Sequence, residues 1–494
     1  MNGVRRALLL STGDRYYSLI INFLTVAIVS RILTPSEIGV SVVGVAIVGI
    51  VMSLREFASA NFLIQQRELT PTDVRCAFTV MLILTTVIAA GLVILAPIVA
   101  RVYDEPLLVE YLRIIAVAIF LELVAAPIVT LLRRDMAFGR VALINIGGAT
   151  TGTAVTITLA LHGFSAISFA WAWLASAVVT GILAISLRPE FWIFKPSLAQ
   201  SRRMLAFGGY NGATVLLYKM HESLPYLLLG RMLSLDAAAL YSRSLMICQL
   251  PDKVFLAGAA SVVLPAFSGE VRQGRGLKQP YRNALALITA FQWPALVTLA
   301  LLAYPIVDLV LGQQWHGVAP LVQIVALSLF FSFSFELNYP VLVSMGAIRD
   351  IFLRALIVCP VSAGAIAAAS FISLQAVAWS LMFIMPFQAF VGLQFIRRHL
   401  VITWGEIAGS LWRSAIVALM TAAGPTAVIV LAGTGFQLPI RLAIVAMFLS
   451  GIFWLAGLWL TRHPLREEIT GMLGRLGGRL SSLKSASPAS TAKS

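Results

Sequence analysis

Ser30-Arg31-Ile32-Leu33-Thr34 closes the first long apolar run of this sequence, and Gly230-Arg231-Met232-Leu233-Ser234 closes the seventh, 200 residues later. The openings of the two runs also correspond, Arg5-Arg6-Ala7-Leu8-Leu9 against Arg202-Arg203-Met204-Leu205-Ala206. Six runs separate the copies, so both copies point the same way across a bilayer and are related by an axis along the membrane normal. Two six-helix bundles facing a shared cleft are the architecture this repeat predicts.

Outward from these ends, apolar residues separated by short polar punctuation form fourteen runs, at 10–33, 37–64, 76–100, 108–132, 141–161, 164–187, 204–231, 236–265, 283–311, 317–345, 351–371, 374–396, 405–432 and 440–461. Each is long enough to cross about 30 Å of hydrocarbon as a helix. The composition agrees: 59% of the 494 residues are hydrophobic, 12% are charged and the mean hydropathy is +0.92. Soluble domains carry about 25% charged residues. The predicted fold is an all-α integral membrane protein of about fourteen transmembrane helices. It consists of two six-helix bundles related by a pseudo-twofold along the membrane normal, plus two C-terminal helices. Residues 1–187 are read as the first bundle, 188–203 as a cytoplasmic linker, 204–396 as the second bundle and 397–461 as the two extra helices. Residues 462–494 read as a cytoplasmic amphipathic helix and a disordered tail. The basic start, interrupted by Gly13-Asp14-Arg15, reads as an uncleaved first span.

The net charge of +15 is spread over short loops with no basic domain interleaved with aromatics, which argues against a nucleic-acid partner. Its placement follows membrane orientation instead. One set of ends holds Arg5, Arg6, Arg67, Arg75, Arg133, Arg134, Arg140, Arg188, Lys195, Arg202 and Arg203, and continues through Arg272 to Arg282, Arg349, Arg354, Arg397 and Arg398. The opposite ends hold only Arg31, Arg101, Arg113, Arg231 and Arg441. The basic side is therefore cytoplasmic, with both termini on it. Cys76, Cys248 and Cys359 lie far apart in or beside apolar runs, read as buried free thiols, and no metal or cofactor site is expected.

Charge inside an apolar run is the main pointer to function. Tyr218-Lys219-Met220-His221-Glu222 lies in the middle of the seventh run. A Lys or an acid at that depth costs roughly 2.5 to 3.5 kcal/mol unless it faces something polar. Three- and four-residue spacings put Tyr218, Lys219 and Glu222 on one helical face, which should look into the cleft.

The ordered motifs carry a family likeness. Ser30-Arg-Ile-Leu-Thr-Pro35-Ser-Glu37-Ile-Gly39, Ala239-Leu-Tyr241-Ser-Arg243 with Pro251, Leu264-Pro265-Ala-Phe267-Ser268 and Leu311-Gly-Gln-Gln-Trp315 follow one another along the chain. Together they resemble the bacterial polysaccharide and O-antigen flippases of the multidrug/oligosaccharidyl-lipid/polysaccharide exporter superfamily. That resemblance implies a transporter in the bacterial cytoplasmic (inner) membrane. It would move a polyprenyl-diphosphate-linked oligosaccharide from the cytoplasmic to the periplasmic leaflet by alternating access. It also implies membrane lipids as partners, with a polysaccharide polymerase and export machinery as further candidates.

An anionic diphosphate needs positive charge along its path. The candidates are Arg15 and Arg55 from the first bundle and Lys219, Arg243 and Lys253 from the second, with Tyr218 and Glu222 beside Lys219. Snorkelling to the interface is the bland reading of Arg15 and Arg55, and a helix-tethering pair that of Lys219 with Glu222. For the sugars, Phe331, Phe335, Asn338 and Tyr339 are expected on one stripe of the tenth run, where packing is the competing role. His221, Glu222 and Glu336 are candidates for ion coupling. Glu122 is expected to lack a partner. Arg31 and Arg231 read as interface anchors or gate residues. An enzyme is not expected, because no loop is long enough for a catalytic domain. The alternatives are a cation-coupled multidrug exporter of the same superfamily and a membrane glycosyltransferase or ligase.

Overall fold

The structure is a computed structural model that describes residues 2–55, 70–199 and 201–470. The described part of the predicted cytoplasmic tail is a helical stretch over 464–470, and the rest of it lies outside the described residues.

The first half runs through α1 (Asn2–Ile32), α2 (Pro35–Ser53), α3 (Pro71–Tyr103), α4 (Leu107–Arg134), α5 (Phe138–Leu161) and α6 (Ile167–Leu187). The second half holds α7 (Ser201–Met232), α8 (Leu235–Cys248), α9 (Leu250–Arg272), α10 (Lys278–Leu301), α11 (Ala303–Val310), α12 (Val318–Ser328), α13 (Phe335–Ser344), α14 (Ile348–Ser370) and α15 (Leu374–Leu400). Two last helices follow, α16 (Trp404–Ala432) and α17 (Ile440–Leu460).

The repeat has a local physical cause. Thr34 caps α2, its hydroxyl accepting the Glu37 N–H while its own N–H donates to the Glu37 carboxylate at 2.7 Å. Ser234, the matching residue, caps α8 by accepting the Ala237 N–H at 3.1 Å. Each cap satisfies orphan donors at a helix start and lets the chain reverse in two residues.

The packing repeats as well. In the first half α1 lies on α5, α3 on α4, and α6 on both α4 and α5. In the second, α7 lies on α14, α10 on α12, and α15 on both α12 and α14. The last pair is attached through α16, which packs on α10 and α17. The second half thus repeats the packing of the first, as the sequence repeat predicts, and the last two helices are added to it.

Eleven helices among the described residues are long and apolar enough to cross a membrane. The other three predicted positions are taken by α1, α7 and the α8–α9 pair, which carry Asp14 and Arg15, Lys219 and Glu222, and Asp252 and Lys253. Each of the three contributes side chains to the cavities described below. Fourteen crossings therefore remain the sequence's expectation. Three runs read as continuous are broken. The eighth breaks at Gln249, just before Pro251, the ninth at Leu302, and the tenth by a 3-10 turn at Leu329–Ser334.

The halves meet where α2 lies on α7 and α8. A methyl on Gly39 would overlap the main-chain oxygen of Leu235, and one on Gly230 would come within 2.7 Å of Val43. Backbones approach this closely only where a side chain is missing. The linker is docked too: its 3-10 turn Phe191–Phe194 lies on α3, with Phe78 edge-on to Phe194 at 5.1 Å.

Candidate substrate-binding cleft

At the end that carries Arg31 and Arg231 the two halves are sealed together. Val29, Leu33, Ile38 and Val43 of the first share one buried cluster with Leu229, Ala238, Tyr241 and Trp315 of the second. Polar latches cross the same seam. The Trp315 indole N–H donates to the Ser30 carbonyl at 2.7 Å, and the Gln314 amide donates to the same oxygen. Gln314 also reaches the Leu33 carbonyl at 3.2 Å, and Arg31 donates to the Leu309 carbonyl at 2.6 Å. Arg243 is 7% exposed and sits 5.6 Å from the centre of the Trp315 ring. Three of the ordered motifs thus touch one another, and what they build is a closure.

Charged side chains of the two halves gather at two cavities, the smaller of which borders this seal through Ile38 and Arg243. The larger, about 450 Å³, takes Arg15 from α1, His221 from α7, Gln249 from the α8–α9 junction, Asp252 and Lys253 from α9, Phe335 and Glu336 from α13, and Gln388 from α15. Arg15 is brought there because α1 lies against α9, where the Tyr16 hydroxyl donates to the Val254 carbonyl at 3.0 Å. One wall is hydrogen-bonded: Gln292 donates to the Asp252 carboxylate at 2.8 Å and to the Ser332 hydroxyl at 3.0 Å. Gln388 meets His221 at 3.3 Å and the Ser362 hydroxyl at 3.2 Å.

The smaller cavity, about 320 Å³, holds Lys219, Glu222 and Arg243 opposite Ser41, Val42 and Val45 of α2. Lys219 and Glu222 pair at 3.0 Å, with side chains 36% and 66% exposed. Gly49 makes room for the lysine, since a methyl there would lie 2.6 Å from its Cε. A pair this open is weakly bound and its cation is available to an incoming anion.

The structure gathers Arg15, His221, Lys253, Phe335 and Glu336 at one cavity and Lys219, Glu222 and Arg243 at the other. It does not place the remaining candidates at either. Tyr218 turns toward α14, where Arg354 and Cys359 lie near it, so it does not share the Lys219–Glu222 face. Arg55, just past the end of α2, pairs with Glu122 of α4 at 3.4 Å, which also corrects the expectation that Glu122 stands alone. The stripe of the tenth run is split by the 3-10 turn, whose tighter pitch ends the helical register at Ser334. Phe335 lines the larger cavity and Asn338 is fully buried. Phe331 and Tyr339 are 38% and 58% exposed and line neither cavity.

Sequence reasoning missed Asp252 and Gln292. Asp252 had a signal, an acid between Pro251 and Lys253 in an apolar run. Gln292 had none, because a neutral amide in an apolar helix does not stand out by charge.

Two facing helical bundles with charged helices at their meeting place define a multi-pass membrane protein with a polar cleft between repeated halves. The fold matches that of the lipid II flippase MurJ in an inward closed conformation, with TM-score 0.71 and 12% identity over 91% of this chain and 98% of that one. The profile of a family described as polysaccharide biosynthesis protein matches residues 28–320, and the chain belongs to that family. Similar proteins include the succinoglycan biosynthesis transport protein ExoT of Rhizobium meliloti (strain 1021), 26% identical over 70% of each chain. The lipopolysaccharide biosynthesis protein WzxC of Escherichia coli (strain K12) is 21% identical over 60% of this chain and 61% of that one.

Proposed function

We propose that this protein flips a polyprenyl-diphosphate-linked oligosaccharide across the bacterial cytoplasmic membrane for surface polysaccharide synthesis, by alternating access and without making or breaking covalent bonds. The observation that carries the reading is the set of cations, Arg15, Lys253 and Lys219, that faces cavities beside the junction of the two halves. A diphosphate group entering hydrocarbon needs such partners. Gln249, Gln388 and Ser332 offer the amide and hydroxyl groups that hydroxyl-rich sugars bond to. The lipid tail need not enter, because it is as soluble in the bilayer as in the protein.

The Arg31/Arg231 end is periplasmic in this reading and both termini are cytoplasmic. Sealing at Ser30, Gln314 and Trp315 then corresponds to a state closed toward the periplasm. Opening that seal while the opposite side closes would carry the cations from one leaflet to the other. His221 and Glu336 share a cavity and are the groups through which a proton or sodium gradient would act. A polymerase and an export assembly would take the product.

The test is export of surface glycan in cells carrying Lys219→Ala or Arg15→Ala, with the inserted protein quantified. The expected result is at least a tenfold drop in export at unchanged protein level, corresponding to the loss of about 1.4 kcal/mol or more of binding. Normal export by both variants would overturn the reading, as would new glycosidic bonds formed by purified protein from lipid-linked sugar. Export unchanged after gradient collapse would remove the coupling role of His221 and Glu336.

A further inference from the structure

Arg354 lies on the second turn of α14, behind the larger cavity rather than in it. It is 8% exposed and forms no ion pair with any described residue, and its Nε has no hydrogen-bond partner. The acid one turn before it, Asp350, is engaged elsewhere, with its carboxylate 2.6 Å from His399 Nε2. The guanidinium carbon lies 5.8 Å from the centre of the Phe335 ring, so the phenyl stands between Arg354 and the cavity it lines.

Asn338 of α13 shares this enclosure. It is fully buried, and neither its Oδ1 nor its Nδ2 has a partner. The third wall is Gly392 of α15. A methyl built on it would overlap Asn338 Nδ2 and lie 3.6 Å from Arg354 Nε. Two unpartnered N–H donors from different helices therefore converge over the residue of α15 that has no side chain. The fully buried hydroxyl of Tyr281, also without a partner, belongs to a phenol close enough to feel the Arg354 charge.

A buried cation without a counter-charge is strongly disfavoured, and so are buried donors without an acceptor. One anion between Arg354 and Asn338 relieves both. The enclosure limits its size, since Asn338 and Tyr281 have no exposed surface. We propose that Arg354 and Asn338, over Gly392, form a binding site for a dehydrated monovalent anion of halide size that joins α13, α14 and α15. The site is separate from the substrate cleft and does not depend on what the protein transports.

The experiment uses the purified full chain in detergent, moved from sodium gluconate into sodium bromide at constant ionic strength. Bromide is expected to raise the thermal midpoint saturably and to give an anomalous-scattering peak beside Arg354 Nε in crystals. Arg354→Gln, which removes the charge, abolishes the saturable rise. Asn338→Leu, which keeps the charge and removes one donor, weakens the apparent bromide affinity by about tenfold. Inorganic phosphate gives no saturable rise. Equal midpoints in gluconate and bromide overturn the proposal, as does an equal bromide response in Arg354→Gln. Density that places the Asn338 amide oxygen on Arg354 Nε with no ion beside it also overturns it. A phosphate response matching that of bromide removes the size assignment.

Discussion

Trp315 and Ser30, 285 residues apart, are joined by an indole N–H donated to a main-chain carbonyl at 2.7 Å, with both residues fully buried. The bond ties the last turn of α1 to the 3-10 turn before α12, and so ties the first half to the second. A hydrogen bond between neutral groups at such a seam is worth about 1 kcal/mol. Trp315→Phe removes the donor but keeps a ring over Arg243. The expected outcome is a roughly fivefold shift of the population toward an opened seam. Spin labels at the exposed positions 36 and 313 would report it as a longer-distance component. An unchanged distance distribution would show that the bond is incidental to closure.

Gly39 predicts the same seam by sterics. With a methyl there overlapping the Leu235 carbonyl, α2 and α8 cannot keep their present approach. Gly39→Ala should cost about 1 to 3 kcal/mol of the closed arrangement, the usual range for overpacking. The measurement is the thermal midpoint together with the labelled distance at the seam. Gly91 is the control, since nothing lies within 4 Å of a methyl built on it, and Gly91→Ala should leave both readouts unchanged. Equal behaviour of the two variants would refute the close-approach argument.

The fold was legible because its signals are local and repeated. Apolar length fixes the helices, and the caps at Thr34 and Ser234 recur with the repeat. The cleft was legible only where a charge interrupts an apolar run, as at Lys219, Glu222, Lys253 and Arg15. Which way a helix turns was not legible, because it depends on partners far away in sequence. Tyr218 is adjacent to Lys219 yet faces α14, and the stripe of Phe331, Phe335, Asn338 and Tyr339 is broken by a 3-10 turn that apolar residues do not announce. The motifs that meet at the seal drew attention by similarity, but their contacts with one another appear only once residues 30 and 315 are brought together.

Arg55 and Lys219 separate under mutation for this reason. The Arg55 side chain is 15% exposed and its partner Glu122 36% exposed, whereas the Lys219 side chain is 36% exposed beside a 66% exposed partner. Removing one partner of a mostly buried pair strands the other charge, which is worse than removing both. Arg55→Ala should therefore lower the thermal midpoint, and Arg55→Ala with Glu122→Gln should recover most of the loss, with a coupling of about 1 kcal/mol or more. Lys219→Ala should leave the midpoint nearly unchanged while reducing export. A strictly additive double variant would mean that Arg55 and Glu122 are neighbours without energetic linkage.

His463 gives the pH dependence outside the membrane-spanning helices. It is 1% exposed, its Nδ1 accepts the Leu465 N–H at 3.1 Å, and its Nε2 lies 3.1 Å from the Ser414 hydroxyl. Burial first, and then the charge of Arg413, hold the imidazole down at about 4, against an ordinary value of 6.5. Charging the ring would turn Nδ1 from acceptor to donor and break the cap on the helical stretch that begins at residue 464. The unfolded chain binds the proton more readily than the folded one, so stability rises with pH across this window. The contribution is complete above about pH 6.5 and is lost as the pH falls from there toward 4, amounting to about 2 kcal/mol at pH 5. Asn at this position caps a helix without titrating. His463→Asn should therefore keep the midpoint at pH 7.5 and lose less of it at pH 5 than the wild type does. Parallel midpoint curves for the two proteins between pH 7.5 and pH 5 would mean that His463 is not neutral and buried as described.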